Sequence, residues 1–534
     1  MAKVIMVQGT MSNAGKSLLV AGLCRVFWQD GHRVAPFKSQ NMALNSWISN
    51  EGLEMGRAQV VQAQAAGITP SVLMNPILLK PVTNMGSQVI VRGEVRGAMD
   101  AAEYFCAKNQ LFPEALACYE ELASQYDIIV VEGAGSPAEI NLKENDIVNM
   151  GLAKKIRAPV LLAGDIDRGG VFAQLYGTLA LLDDDERALV KALIINKFRG
   201  NLAILKPGIT MLEERCGKKV AGVLPYLDID IEDEDSLSER FSAKQRDAAL
   251  DIAVIRLPKI SNFTDFFVLE AMQGVSVRYV NNPRELKTPD MLIIPGTKNT
   301  IADLLWLRES GLEAATLKLA ARGVLIMGIC GGYQMLGTRI TDAEGVEIAG
   351  GASIAGMGLL PIETNFFPEK QRKQVRGQTA AFGGCSLEGY EIHMGAASGG
   401  FSPSEGRQQS KTPRQVYSRL QAPQALSSPS ESAGALVSDC AGLLLSSTTN
   451  ATADTGADLI VQQGNVYGTY LHGVFDSAEC REALCAELCR QKGIPPLAEH
   501  FFDLAQYKEA QFDKLAAAIR ANLDMSLIYK ILAP

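Results

Sequence analysis

The sequence predicts an α/β protein made of two parallel-sheet domains. Three observations carry that prediction. The chain has 534 residues, too many for one ordinary core. Short apolar runs rich in branched residues recur in both halves, each bounded by turn or charged residues and followed by a helical pattern. Two of these runs end in glycine-rich turns that hold reactive side chains, Gly9-Thr-Met-Ser-Asn-Ala-Gly-Lys-Ser17 and Gly328-Ile-Cys-Gly-Gly332.

Composition narrows the class further. Hydrophobic content of 47% with 21% charged residues is that of a globular protein. A net charge of −8 argues against a general nucleic-acid binder or an anionic-membrane binder. No window approaches the length of a membrane-spanning helix. The apolar start at Val4–Val7 runs into Gln8 and Gly9, so no signal peptide is expected. The 10 cysteines are scattered without a CxxC pair, which fits reduced thiols in the cytoplasm.

In the first half, Lys3 to Gly9 reads as a strand and Ser17 to Trp28 as the helix after it. The usual phosphate loop has four residues between its first Gly and the Gly-Lys pair, and this loop has five. The physics survives the extra residue. Backbone N–H groups across Gly9, Asn13 and Gly15 and the helix N-terminus can still cradle phosphates. Lys16 would reach the outer phosphates and Ser17 a Mg²⁺ ion. Arg33–Lys38 is a short second strand. Tyr126 to Gly135 is a buried strand that delivers Glu132 to its carboxyl end, where α/β proteins bind ligands. A carboxylate there suits Mg²⁺, directly or through water; the plainer alternative is a Glu that only caps the next turn. A fourth strand from Pro159 ends in Asp165, Asp167 and Arg168, and a fifth, Ala192 to Arg199, carries Asn196.

The acidic, then mixed-charge stretch Asp228–Asp251 reads as a linker. The expected division is 1–228, a linker at 229–250, a second domain at 251–480 and a mainly helical extension at 481–534. Strands at Asp251–Leu257, Val275–Val280, Asp290–Pro295 and Val324–Ile329 build the second sheet. The last ends at Cys330, between Gly328 and Gly331-Gly332, and this is the sulfur analogue of a nucleophile elbow. A helix N-terminus after the turn favours the thiolate; a buried structural cysteine is the plain alternative. Pro295-Gly296 forms a turn whose N–H groups can face a site, and His472 follows a β-type segment.

Other features are read as structural. His393, within a strand, is a rival base but reads as core or substrate contact, and His32 and His500 have no motif around them. From 396 to about 458 the composition shifts to Ser, Gln, Ala, Pro and Gly, a low-complexity insertion between Cys330 and His472. Cys485 and Cys489 lie one helical turn apart near Cys480, and small apolar packing explains them better than a metal.

The longer phosphate loop resembles the dethiobiotin synthetase group, which activates carboxylates with ATP. That resemblance implies ATP as ligand, with Lys38 near the transferred phosphate and Asn196 against the base. The Cys elbow, the Pro-Gly turn and the late His resemble the class I, triad-type glutamine amidotransferases. It implies that Cys330 attacks the glutamine amide, with His472 as base and the N–H groups of Gly296 and Gly331 as oxyanion hole. That family carries a Glu two residues after the His, where this chain has Val474. A Cys–His dyad is therefore expected, or a His oriented by a group not located in the sequence.

Pro36–Met42, Glu54–Gln59, Met74–Pro81 and Ile260-Ser-Asn-Phe-Thr-Asp-Phe266 resemble the cobyric acid synthase family of corrinoid amidotransferases. The related a,c-diamide synthases carry Gly-Pro-Asp-Tyr after the Phe-Lys, where this chain has Ser39-Gln-Asn-Met42. The resemblance implies L-glutamine and a corrinoid as substrates, with no nucleic-acid or membrane partner. The implied reaction is amidation of the b, d, e and g carboxylates of adenosylcobyrinic acid a,c-diamide. The alternative of another class is a P-loop partitioning or regulatory ATPase with a dead amidotransferase-like domain. Val474 favours it; Cys330, His472 and Pro295-Gly296 oppose it.

Overall fold

The computed structural model describes residues 2–81, 86–232, 248–399, 453–454, 458–497 and 502–533. The first domain is built on β1 (Lys3–Gly9), β2 (Val34–Phe37), β3 (Ile128–Glu132), β4 (Val160–Asp165), β5 (Val190–Phe198) and β6 (Lys219–Pro225). They form one parallel sheet in the order β6-β5-β4-β1-β3-β2. Both faces are covered, which is why these strands read as continuous apolar runs: Ile5 and Val7 pack into one core, Met6 into the other. β1 lies between β3 and β4, so the loop after β1 opens at the middle of the sheet's carboxyl edge.

Helix α1 (Lys16–Gln29) follows that loop and buries Leu19, Val20, Leu23, Val26 and Phe27. Between β2 and β3 the chain makes elements that apolar periodicity did not predict. Gln40–Met42, Ile77–Pro81, Gly86–Val91 and Glu94–Asp100 form a mixed sheet, and Ser46–Ile48 pairs with Glu54–Gly56. The latter hairpin runs straight into α2 (Arg57–Ala65), with Gly56 as its N-cap residue.

The second domain has β7 (Leu250–Ile255), β8 (Val275–Val280), β9 (Met291–Ile294) and β10 (Leu325–Ile329), then α3 (Gly331–Leu336). Later come β11 (Glu363–Thr379), β12 (Cys385–Ser398), β13 (Val461–Gln463), β14 (Val466–Thr469) and β15 (Leu471–His472). The main sheet has the order β8-β7-β9-β10-β14-β13 and is parallel except for the edge strand β13. A further sheet, mostly antiparallel, is organised by the long β11–β12 hairpin, with β15 on its edge. The insertion expected at 396–458 begins later, because 396–398 still belong to β12. The rest of it lies outside the described residues apart from Gly399, 453–454, which pair with β11, and Asp458. Within the linker, 233–247 also lie outside them.

The C-terminal extension divides. Helix α4 (Ala478–Lys492) buries Cys480, Leu484, Cys485, Leu488 and Cys489 in the second core. Helices α5 (Leu504–Asn522) and α6 (Met525–Leu532) cross back to the first domain. There Phe512, Leu515, Ala516, Ile519 and Ile528 join the core that holds α1. Arg25 of α1 anchors them through Asp513 and Glu509, each at 2.7 Å. Among the described residues no helix is long and apolar enough to cross a membrane.

Candidate active site

The first half-site is the loop after β1. Asn13 (φ 62°) and Gly15 (φ 88°) turn the chain through the left-handed region so that it enters α1. Gly15 has a second reason to be glycine: a Cβ there would stand 2.1 Å from Asn196 Nδ2. Asn196, at the carboxyl end of β5, donates to Ala14 O at 2.9 Å and so clamps the loop. Lys16 Nζ donates to Met11 O (3.0 Å) and Gly135 O (3.1 Å), lying across the mouth of the loop. Gly9 ends β1 directly beneath the Lys16 stem.

Glu132 is the hub of this site. Ser17 Oγ donates to its Oε1 at 2.8 Å, Lys38 Nζ reaches the same oxygen at 2.8 Å, and Gln62 Nε2 donates to Oε2 at 2.5 Å. The carboxylate is 1% exposed, and a buried charge survives only when paired in this way. A hydroxyl and a carboxylate are hard oxygen donors of the kind Mg²⁺ takes. Among the described residues no cluster of three or more His, Cys, Asp or Glu could hold a metal, the cysteines of α4 included.

The second half-site is the turn after β10. Cys330 has φ 52° and ψ −109°, a strained conformation for a residue with a Cβ. The strain persists because the turn is held on both sides: Cys330 N donates to Thr469 O at 2.8 Å, and a Cβ on Gly332 would lie 1.9 Å from Ile294 O. Cys330 Sγ lies 3.5 Å from Ile392 O. Gly296 sits next to His472, where an added Cβ would be 3.3 Å from Cε1, and Gly331 packs on Thr297, the residue after Gly296. The four residues expected to act together are thus neighbours.

What the sequence left unlocated is Asp265. His472 Nδ1 lies 2.7 Å from Asp265 Oδ2, and Gly473 N donates to Oδ1 at 3.3 Å. A carboxylate only accepts, so the N–H sits on Nδ1 and Nε2 faces the sulfur side. Burial alone would disfavour the imidazolium. The Asp265 carboxylate, its hydrogen bond and the Cys330 sulfur outweigh burial and raise the His472 pKa to about 10. Asp265 comes from the turn Phe263–Phe266, which Asn262 opens in the left-handed region. Position 474 could not supply the acid: Val474 is fully buried in the apolar core. The only sequence signal for Asp265 was the Ile260–Phe266 segment itself.

His393 is engaged elsewhere. Its Nδ1 lies 2.8 Å from Gly395 O and its ring stacks on Tyr470 at 3.7 Å.

The two half-sites belong to domains that meet through polar groups and a small apolar cluster of Ile48, Tyr390 and Ile392. A cavity of about 130 Å³ has Trp47, Arg57 and Gln64 of the first domain on one side and Asp265, Tyr390 and His472 on the other. Beside it Glu54, fully buried, pairs with Lys80 (2.8 Å) and with Lys370 of the second domain (2.6 Å). Burial pushes the Lys370 ammonium down to about 7 and that of Lys298 to about 8, with Glu54 opposing the shift in both.

Comparison with known proteins agrees with this division. Residues 5–237 match the family described as CobQ/CobB/MinD/ParA nucleotide binding domain. Residues 251–480 match the CobB/CobQ-like glutamine amidotransferase domain. A cobyric acid synthase of Lachnoclostridium phytofermentans is 54% identical over 100% of this chain and 99% of its own length. One from Ruminiclostridium cellulolyticum is 53% identical over 100% of this chain and 97% of its own length. One from Citrobacter koseri is 47% identical over 100% and 99%. With a nucleotide-binding half, an amidotransferase half and full-length likeness of this degree, the chain belongs to the cobyric acid synthase family.

Proposed function

We propose that the chain is an ATP- and glutamine-dependent amide ligase. It converts the b, d, e and g carboxylates of adenosylcobyrinic acid a,c-diamide to amides, giving adenosylcobyric acid in cobalamin biosynthesis. The carrying observation is the full-length identity of about half to cobyric acid synthases from several bacteria. Residues 1–228, with the returning helices α5 and α6, activate the carboxylate, and 251–480 hydrolyse glutamine. The free cysteines of the described residues fit a reducing compartment, the cytoplasm.

A carboxylate is a poor electrophile, so it must first carry a leaving group. In the first site the loop N–H groups from Gly9 to Gly15, with Lys16, hold the ATP phosphates, and Asn196 lies against the base. Ser17 and Glu132 would hold Mg²⁺, which neutralises phosphate charge when bound. Lys38 steadies the phosphoryl group as a substrate carboxylate oxygen bonds to the γ-phosphorus and the bond to ADP breaks. The product is an acyl phosphate.

In the second site Cys330 Sγ attacks the glutamine side-chain carbonyl. N–H groups of Gly296 and Gly331 receive the developing oxyanion, an interaction worth about 10²–10³ in rate per donor in comparable sites. His472 hands a proton from Nε2 to the departing ammonia, leaving a thioester. Water then attacks the thioester while His472 takes its proton, and glutamate leaves. Ammonia bonds to the acyl-phosphate carbon, expels phosphate and loses a proton, which leaves the amide. The dead-domain alternative drew on Val474; a buried Asp265 bonded to His472 supplies the acid from another segment.

Two variants test the division of labour. Cys330→Ser should lose glutamine-dependent amidation and keep ammonia-dependent amidation. Lys16→Ala should lose both while glutamate release survives. Loss of both amidations in folded Cys330→Ser, or normal ammonia-dependent amidation in Lys16→Ala, would overturn the assignment.

A further inference from the structure

The turn that carries Gly296 is tied down by buried contacts that the chemistry just described does not use. Pro295-Gly296 follows the end of β9, and a glycine in an irregular turn is the least constrained of residues. Two backbone bonds fasten the turn to the segment 259–261: Ser261 N donates to Gly296 O at 2.9 Å, and Lys298 N donates to Lys259 O at 3.0 Å. That segment runs on into the turn that supplies Asp265. Asp303, 2% exposed on the helix Thr300–Glu309, grips both partners of this contact. Its Oδ2 lies 2.5 Å from Thr297 Oγ1 and accepts from Lys259 N at 3.2 Å.

The direction of the Thr297 bond follows from charge. A hydroxyl has one proton, and Thr297 Oγ1 has two acceptors in reach, Asp303 Oδ2 and Lys259 O at 3.0 Å. Burial pushes the Asp303 carboxyl up to about 6, with the Thr297 hydroxyl and the Lys259 N–H and charge opposing, so at neutral pH it is ionised and takes the proton. Lys259 O keeps its bond from Lys298 N. With its hydroxyl on Asp303, Thr297 turns its methyl to the cysteine turn, where a Cβ on Gly331 would stand 2.7 Å from Thr297 Cγ2. Thr297 thereby spaces the two glycines of the oxyanion hole. Thr300 Oγ1, which donates to Gln334 Oε1 of α3 at 3.0 Å, braces the same pair of turns.

Asp303 is not needed to cap its own helix. Glu347 accepts from Thr300 N and Ile301 N, each at 2.9 Å, and Asn299 Oδ1 accepts from Ala302 N at 2.9 Å. A buried charge disfavours folding unless it is bonded, and the bonds of this one go to the oxyanion turn and to the segment fastened to it. We infer that Asp303 is a positioning residue of the glutamine-hydrolysing site: through Thr297 and Lys259 it fixes the turn that presents the Gly296 N–H to the oxyanion. Donors aimed before the reaction begins lower its barrier, so a loosened turn slows the chemical steps and leaves glutamine binding unchanged. The inference rests on the reading of Cys330, Gly296 and Gly331 as the hydrolytic site.

The test uses the full-length chain with Asp303→Ala, and with Thr297→Val, which keeps the branched shape and removes the hydroxyl. In either folded variant kcat for glutamate release should fall about 10-fold or more, with KM within about twofold of the original. Inhibition by 5-oxopentanoate should weaken by a similar factor. This aldehyde has the carbon skeleton of glutamine without the amino group. Cys330 Sγ bonds to its carbonyl carbon, the C=O π bond opens, and the oxygen, placed where the oxyanion forms, takes the thiol proton. Alkylation of Cys330 by iodoacetamide, in which Sγ displaces iodide and no oxyanion forms, should stay within about twofold of the original. A general disturbance of Cys330 would slow all three. Normal kcat in a folded variant, unweakened aldehyde inhibition, or alkylation that falls as far as kcat overturns the inference. Thr297→Val serves if Asp303→Ala does not fold, with ammonia-dependent amidation as the check on folding. Glutamate release by Cys330→Ser would instead overturn the reading of the site, so the two failures are distinct.

Discussion

Replacing Asp265 with Asn tests the hydrolytic site at the residue the sequence did not assign. Asn is nearly isosteric and its Oδ1 can still accept from Gly473 N, so the turn should survive. Its amide, however, now faces His472 Nδ1 as a donor across the 2.7 Å contact. Nδ1 must then accept, the neutral ring carries its proton on Nε2, and it can no longer take one from the sulfur or from water. The charge-assisted bond being removed contributes about 1.5–3 kcal/mol. At about 1.4 kcal/mol per factor of ten, that is a loss of about 10- to 100-fold in kcat/KM for glutamate release. The tautomer penalty adds to this; the equivalent change in serine proteases costs about 10⁴. A thiol needs less help from its base than a hydroxyl, which places the expected loss near about 10². Glutamate release is assayed with ammonia-dependent amidation as the internal check on folding. Release within about twofold of the original would mean that Asp265 neither orients nor charges His472, and the triad reading would fall.

Two further expectations come from the same structure. The His472 pKa is raised from 6.5 to about 10, so its charged pair with Asp265 stabilises the fold fully below 6.5 and is lost as pH rises through about 10. The difference in unfolding free energy between the original protein and His472→Gln should therefore shrink across that window, read by denaturant titration at several pH values; a difference independent of pH would contradict the pairing. Leu515 is fully buried between α5 and α1, and Leu515→Ala should cost about 2–5 kcal/mol of stability. Thermal unfolding should show the loss together with weaker ATP binding, whereas a neutral effect would mean that α5 is not part of the first core.

Much of the fold was legible because parallel strands covered on both faces are local signals. β1, β3, β4, β5, β7, β9 and β10 appear as apolar runs in the sequence, and all lie in the two parallel sheets. The β11–β12 hairpin was not legible as a sheet, since half of it faces water and its residues Glu363–Thr379 are largely polar. The phosphate loop and the cysteine elbow were legible for a related reason. Both are single turns whose glycines, Gly15 and Gly332, have no room for a side chain, so sequence and geometry are bound together within a few residues.

What the sequence determined alone is therefore local: the reactive loop, the strained cysteine, the histidine after its strand, and the alternation that makes two α/β halves. Tertiary structure alone decided who orients the histidine, where the chain's end packs and how the halves touch. Asp265 and His472 are 207 residues apart and share no periodicity. A carboxylate on an irregular turn carries no pattern until the fold brings it to an imidazole. Helices α5 and α6 show an apolar stripe, but a stripe states only that something must cover it. That the cover is α1, more than 400 positions earlier, follows from shape and from Arg25 meeting Asp513, an ion pair 488 residues apart in sequence. Long-range partners are chosen by the sum of many weak complementary contacts, and no short window of residues contains that sum.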